Sequence, residues 1–189
     1  MTAPRERKRV VYRPPWRVDV VTRAGIETLL PASALADAIG RALEAAAAPA
    51  PGSVTVVLTD DAELAELNAE HMGIEGTTDV LSFPMHPPDT FVGDGARTGS
   101  GHCRGPRSVV GGAARRRTHI GDIAISVERA IEQADAGRGG QTGDVRWSGA
   151  DELRLLVTHG TLHLCGRDHR EPSEEAEMRA LELRLLEGG

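Results

Sequence analysis

The sequence of 189 residues contains little cysteine and no long apolar run, which argues against a disulfide-rich protein and against a membrane-spanning one. Its two cysteines, Cys103 and Cys165, form neither a disulfide framework nor a CxxC zinc pattern. No stretch of about 18 or more apolar residues is present, so no membrane-spanning helix is predicted. Residues 1–16 are basic but lack the apolar segment of a signal peptide. We therefore expect a cytoplasmic protein.

The charge is negative overall but unevenly distributed along the chain. A net charge of −6 argues against a general nucleic-acid binder, because phosphate contacts are made by basic surfaces. Residues 93–119, however, contain six arginines and a single acid, namely Arg97, Arg104, Arg107, Arg115, Arg116 and Arg117 against Asp94. A local RNA-binding patch and a solvated cluster in a loop are both compatible with this segregation.

Hydrophobic periodicity and chain breakers predict one α+β domain, with a small mixed sheet packed against helices. Strands are predicted at residues 17–22, 53–59, 79–83 and 119–126, the last two as a hairpin. Helices are predicted at about residues 34–48, 61–71, 127–136, 150–165 and 173–186. We interpret residues 1–16 as a flexible lead-in and 17–189 as the domain. Residues 87–118, which lack periodicity, are predicted to be a flexible insertion within it.

Three of the seven histidines lie close together at His159, His163 and His169. Positions i and i+4 of a helix share one face, so the first two imidazoles point toward a common position. Gly166 is placed to end that helix, and Asp168 is a good turn residue, which brings His169 back toward the pair. Three imidazoles leave one tetrahedral position of zinc open, as in catalytic sites. We therefore predict one zinc ion per chain on this helix and the turn that follows it.

The rest of the helix is consistent with this placement. Its predicted core face consists of Leu153, Leu156, Val157, Gly160 and Leu164. Cys165 points away from both histidines, so we interpret it as a small buried residue and not as a ligand. The alternative, three unrelated histidines satisfied by backbone or solvent, is disfavoured by the spacing and by the glycine.

The histidine spacing equals that of the metzincin zinc peptidases, H-E-x-x-H-x-x-G-x-x-H. In those enzymes the glutamate after the first histidine deprotonates the zinc-bound water, whereas this chain has Gly160 there. Peptide hydrolysis is therefore disfavoured and stays an alternative function.

Residues 155–169, LLVTHGTLHLCGRDH, resemble the signature of the YbeY family of endoribonucleases, H-G-x-L-H-L-x-G-[YF]-D-H. Leu67-Asn68, the segment TDVLSFP at 78–84 and the segment GDI at 121–123 are similar to further blocks of that family. The resemblance runs from about residue 18 to residue 186, apart from the insertion.

This resemblance implies a zinc-dependent, single-strand-specific endoribonuclease of 16S and other ribosomal RNA maturation and of ribosome quality control. The implied partners are single-stranded RNA, ribosomal RNA and the small ribosomal subunit, with ribosomal proteins or assembly GTPases as further candidates. Catalysis is assigned to water activated by the metal on His159, His163 and His169. Water and the 2′-hydroxyl of the RNA are both compatible as the nucleophile.

Two positions depart from the family pattern. Met72 stands where the family commonly has an arginine that assists phosphate chemistry, and Arg167 replaces an aromatic residue. We hypothesise that Arg167, or an arginine of the insertion, supplies the phosphate contact. The alternative is that Arg167 is an exposed turn residue. Because of Met72, a non-catalytic ribosome-assembly factor with a structural metal is a third functional hypothesis.

Several polar residues outside the cluster have two interpretations. Asp79, Ser82 and Asp122 lie in the matched blocks and are predicted either to orient ligands at the groove or to serve as caps and turns. His71 and His119 are interpreted as ordinary edge or surface histidines.

Overall fold

The computed structural model describes residues 5–87, 91, 116–137, 147–167 and 171–187. The strands among them are β1 Arg7–Arg13, β2 Trp16–Thr22, β3 Gly52–Thr59, β4 Val80–Pro84 and β5 Thr118–Ser126. The helices are α1 Ala32–Ala45, α2 Asp61–Met72, α3 Val127–Asp135, α4 Gly149–Leu164 and α5 Pro172–Glu187. The predicted α+β class and order of elements are confirmed, with one additional strand at the start. Most of the predicted insertion at 87–118 falls outside the described residues.

The strands form one mixed sheet in the order β1-β2-β3-β5-β4. Parallel pairing joins β2 to β3 and β3 to β5, whereas β1 and β4 pair antiparallel at the two edges. The predicted hairpin is confirmed by the β4–β5 register, in which Val80 lies opposite Ile125. The helix α1 supplies the crossover that parallel strands β2 and β3 require. Of the described helices, none has the length and apolar composition needed to cross a bilayer.

A flexible lead-in was predicted at residues 1–16, and the strand β1 corrects this prediction for Arg7–Arg13. Residues 1–4 lie outside the described residues. Arg7–Arg13 pairs with β2 along its length, and Val11 packs against the core. Arg13 also bonds to Asp37 and Glu44 of α1, each at 2.9 Å. The cationic positions conceal the strand in the sequence, yet such residues are typical of edge strands, where they discourage pairing with other chains.

The main core lies between one face of the sheet and helices α1 and α4. Its fully buried members include Val18, Val54, Val56, Ile123 and Ile125 of the sheet, Leu35, Ile39 and Leu43 of α1, and Leu153, Val157 and Leu164 of α4. We call this side the core face. The opposite side, the outer face, carries Arg17, Ser53 and His119, and α2 covers only part of it, through Leu64 against Leu81 and Ala124.

The helix α4 lies close against the sheet at Gly160, which is buried. A β-carbon at this position would lie 2.9 Å from Ile123 Cγ2, 3.1 Å from Val80 Cγ2 and 3.2 Å from Ser82 Oγ. The Ser82 hydroxyl donates a hydrogen bond of 3.0 Å to the Gly160 carbonyl oxygen. Any side chain at position 160 would therefore push α4 away from β4 and β5.

Replacing Gly160 with alanine is expected to lower the free energy of unfolding by about 1–3 kcal/mol, because the added methyl group overpacks the helix–sheet contact. Urea denaturation followed by circular dichroism measures the change. Glycine to alanine in a helix without such contacts raises stability by up to about 1 kcal/mol. Unchanged or increased stability would therefore contradict the close packing at Gly160.

Candidate metal centre

The helix α4 that carries the two histidines is fixed at both of its ends. At its start, Ser148 Oγ accepts from Asp151 N at 3.2 Å, and Asp151 Oδ2 accepts from Ser148 N at 3.0 Å, which is a capping box. At its end, Gly166 has φ +74° and its N–H donates to the His163 carbonyl oxygen at 3.0 Å. The predicted helix end at Gly166 is therefore confirmed.

The imidazoles of His159 and His163 converge on one position. Their Nε2 atoms lie 3.0 Å apart, and the two ring planes are nearly perpendicular. The core face predicted for α4 is buried, while both histidines are half-buried at its edge. The predicted one-turn spacing thus places two nitrogen donors side by side.

Glu182 of α5 orients the first of these imidazoles. Its Oε1 lies 2.7 Å from His159 Nδ1, and the residue is only 8% exposed. A carboxylate accepts hydrogen bonds, so the contact assigns the proton of a neutral His159 to Nδ1 and leaves a lone pair on Nε2. Metal-bound histidines characteristically have this arrangement, with a carboxylate on the nitrogen remote from the metal.

The two donors fit zinc in both chemistry and separation. Nitrogen ligands at about 2.0–2.1 Å in a tetrahedral site lie roughly 3.3 Å apart, close to the observed Nε2 separation. His169, the third predicted ligand, and Asp168 lie outside the described residues. Within the part of the chain that the structure describes, no group of three His, Cys, Asp or Glu side chains forms a metal site. The three-ligand set therefore stays a prediction.

The surroundings of His159 are acidic. A cavity of about 300 Å³ lies beside it, and its lining contains four carboxylates against one arginine, namely Asp79, Glu152, Glu175 and Glu182 against Arg179. The Asp79 carboxylate accepts from Gln133 Nε2 and from its neighbour's backbone N–H, each at 2.9 Å. Asp79 therefore faces the histidine cavity and also caps the start of β4. These carboxylates favour a bound cation over an anion near His159.

The other residues singled out in the sequence lie in different places. Ser82 of β4 donates a hydrogen bond to the Gly160 carbonyl oxygen of α4. Asp122 instead bonds to His119 at 3.0 Å on the outer face. His71 makes an edge contact with the Phe83 ring, as expected of an ordinary edge histidine. Met72 is exposed at the end of α2.

Cys165 and Arg167 follow the histidine helix. Cys165 is 4% exposed, and burial raises the pKa of its thiol to about 12, so it is a protonated core residue as predicted. Arg167 is exposed in the turn after α4, and the small cavity beside it is lined by Glu174 and Glu177 of α5. Its predicted role toward phosphate stays a prediction.

Glu182 was not identified from the sequence. It lies 23 positions after His159, in a helix rich in glutamate, and nothing in the pattern distinguishes it from its neighbours. Glu182 lies one turn after Met178, and both are buried, but this becomes evident only from where α5 packs.

Replacing Glu182 with glutamine is expected to weaken zinc affinity roughly tenfold to a hundredfold, because the carboxylate no longer orients His159 or raises its basicity. Competition with a chromogenic chelator measures the affinity. Glu175→Gln serves as the matched control, since it removes a carboxylate from the same cavity without a hydrogen bond to either histidine. Equal affinities for the two variants would contradict the orienting role of Glu182.

Comparison with known proteins connects this arrangement to a family. The family model described as Endoribonuclease YbeY matches residues 25–188. The Endoribonuclease YbeY of Salinispora tropica is 41% identical over 134 residues, covering 70% of this chain and 71% of that protein. That of Roseiflexus castenholzii is 34% identical over 170 residues, covering 89% and 90%.

A solved structure shares the fold. The solution structure of a Thermotoga maritima protein superposes with a TM-score of 0.51 at 22% identity, covering 91% of this chain and 87% of that one. The chain belongs to the endoribonuclease YbeY family.

Proposed function

We propose that this protein is a zinc-dependent endoribonuclease that cleaves single-stranded RNA. Membership of the family supports the RNA-cleaving activity. The observation that supports a metal-dependent reaction is the 3.0 Å approach of His159 and His163, with Glu182 behind the first. The proposed ligands are His159, His163 and His169, with one zinc ion per chain.

Each part of the site has a distinct role in this proposal. A bound zinc ion supplies a Lewis acid for a phosphoryl oxygen and lowers the pKa of water. In the neutral ring, Glu182 holds the His159 proton on Nδ1, so that Nε2 offers its lone pair to a metal ion. Gly160 and Ser82 fix α4 against the sheet, which keeps the two imidazoles at a set position. The acids Asp79 and Glu152 strengthen the preference for a cation.

The biological setting is proposed from the family resemblance. We place the activity in the maturation of 16S and other ribosomal RNA and in ribosome quality control, in the cytoplasm, with the small ribosomal subunit as partner. Residues 17–189 are proposed as the functional domain, extended by β1. Ribosomal proteins and assembly GTPases are further proposed partners.

A zinc peptidase is disfavoured by the packing at Gly160. The peptidase base would have to occupy this position, yet a β-carbon alone would approach three atoms of β4 and β5 within 3.2 Å. The site therefore has no space for the glutamate of the peptidase motif. A non-catalytic assembly factor stays the competing hypothesis, and RNA cleavage by the pure protein distinguishes the two.

The variant His163→Ala tests the metal-dependent activity. The wild type is expected to contain about one zinc per chain and to cleave single-stranded RNA. The variant loses an imidazole donor, so both zinc content and cleavage are expected to fall to background. Elemental analysis and single-turnover cleavage measure the two properties on the same preparations.

The matched control is His71→Ala, which removes a histidine from α2 on the outer side of the sheet. It is expected to retain zinc and activity. Zinc-loaded wild type without cleavage would favour the assembly factor, and wild type without zinc would overturn the metal-dependent mechanism.

Arg167→Ala tests the proposed phosphate contact. A hydrogen bond from arginine to a charged group contributes about 1.5–3 kcal/mol, so cleavage is expected to fall roughly tenfold or more. Zinc content should stay unchanged, which separates this role from ligand positioning. Arg154→Ala is the control, because it removes a partly exposed arginine that lies near the other end of α4 and is paired with Asp151. Unchanged cleavage by Arg167→Ala would contradict the phosphate contact and leave Arg167 as an exposed turn residue.

A further inference from the structure

The outer face of the sheet carries a continuous row of polar and aromatic side chains. Tyr12 of β1 pairs with Arg17 of β2, Arg17 with Ser53 of β3, and Ser53 with His119 of β5. Directly paired residues project to the same face of a sheet. The bond of 3.2 Å between Ser53 Oγ and His119 Nδ1 agrees with that placement. The row crosses four strands, or roughly 14 Å.

Tyr12 is the most accessible large side chain of the row. The residue is 64% exposed, although tyrosine occurs only once in the chain and aromatic residues are only 3% of it. The guanidinium of Arg117, at the start of β5, lies 5.6 Å from the ring centroid. An exposed ring with an adjacent cation combines a stacking surface for a base with a contact for its phosphate.

The charge of this region is opposite to that of the whole chain. The chain has net charge −6, whereas the outer face carries the cations Lys8, Arg17 and Arg117. The other three cations of β1 lie on the core side, opposite Thr22, Val20 and Trp16. On the outer face, Arg17 holds Asp19 through two bonds of 3.0 Å, and Asp122 bonds to His119. Among the residues that the structure describes, no carboxylate is paired with Lys8 or Arg117. The row therefore has a surplus of positive charge.

The row also ends close to the histidine helix. Leu164, at the end of α4, would lie 2.7 Å from a β-carbon at Gly121, two residues beyond His119 on β5. His163 is the neighbour of Leu164, so the last turn of α4 lies on the core face of β5, behind the end of the outer row.

We propose that the outer face is a binding surface for single-stranded RNA, with a base stacked on Tyr12 and a phosphate held by Arg117. This surface is separate from the metal centre and extends the proposed function, on which it rests. Single-stranded RNA is the ligand because its bases are free to stack, whereas a duplex presents mainly its phosphates. The row binds the segment that flanks the one to be cleaved.

The test uses zinc-loaded protein and a fluorescein-labelled 2′-O-methyl oligouridylate, with binding measured by fluorescence anisotropy. The integrity of the probe is checked on a gel after each titration. The double variant Tyr12→Ala, Arg117→Ala is expected to raise the Kd about tenfold or more, since it removes one stacking surface and one phosphate contact. The slope of log Kd against log salt is expected to fall by about 0.7.

Two control variants distinguish binding at this surface from a general effect of positive charge on RNA binding. Arg9→Ala removes one cation from the same strand but on the core side, opposite Val20, and Tyr12→Phe retains the ring. Both are expected to keep the Kd within about twofold of the wild type, because neither removes stacking. Equal loss of binding in Arg9→Ala and the double variant would overturn the proposal.

Unchanged binding in the double variant would also overturn it and assign the face to another partner, such as a protein. Cleavage of unmodified RNA by the wild type is measured separately. If the protein binds RNA through Tyr12 but does not cleave it, only the proposed activity is refuted. If it cleaves RNA but binds it independently of Tyr12, only the proposed binding surface is refuted.

Discussion

The contact of Gly160 with β4 and β5 determines where the candidate metal centre lies. Because this residue has no side chain, α4 lies against Ile123 and Val80, and the Ser82 hydroxyl bonds directly to its backbone. His159 and His163 flank this contact, one residue before it and three after it. Their convergence follows from the one-turn spacing, whereas the position of the pair relative to the sheet depends on how closely the helix packs at Gly160. The same contact explains why the chain has glycine where zinc peptidases have their catalytic base.

The candidate metal centre also depends on α5, because Glu182 of this helix bonds to His159 at 2.7 Å. The ligand pair belongs to one helix, but its orientation is set by a helix that follows in sequence after the turn at Gly166. A centre built from α4 alone would have two imidazoles with unfixed proton positions. With Glu182 in place, the Nε2 lone pair of His159 is directed at His163, and the acidic cavity beside it favours a cation.

The sequence predicts the parts of this structure that depend on local chemistry. Gly166 as a helix end, the buried face of α4, the β4–β5 hairpin and the burial of Cys165 follow from spacing and residue type, and all are observed. Contacts between distant segments were not predictable in this way. β1 was missed because four basic residues conceal its alternation, and Glu182 was missed because its role arises only when α5 packs beside α4. The outer row of Tyr12, Arg17, Ser53 and His119 likewise depends on the strand register, which a single sequence does not specify.

The most direct test of the metal centre is X-ray absorption at the zinc edge of the purified protein. Three imidazole nitrogens at about 2.0–2.1 Å, with one further oxygen or nitrogen, are expected if His159, His163 and His169 hold the ion. Scattering from sulfur at about 2.3 Å would instead indicate a cysteine ligand. That result, or the absence of stoichiometric zinc, would contradict the three-histidine centre.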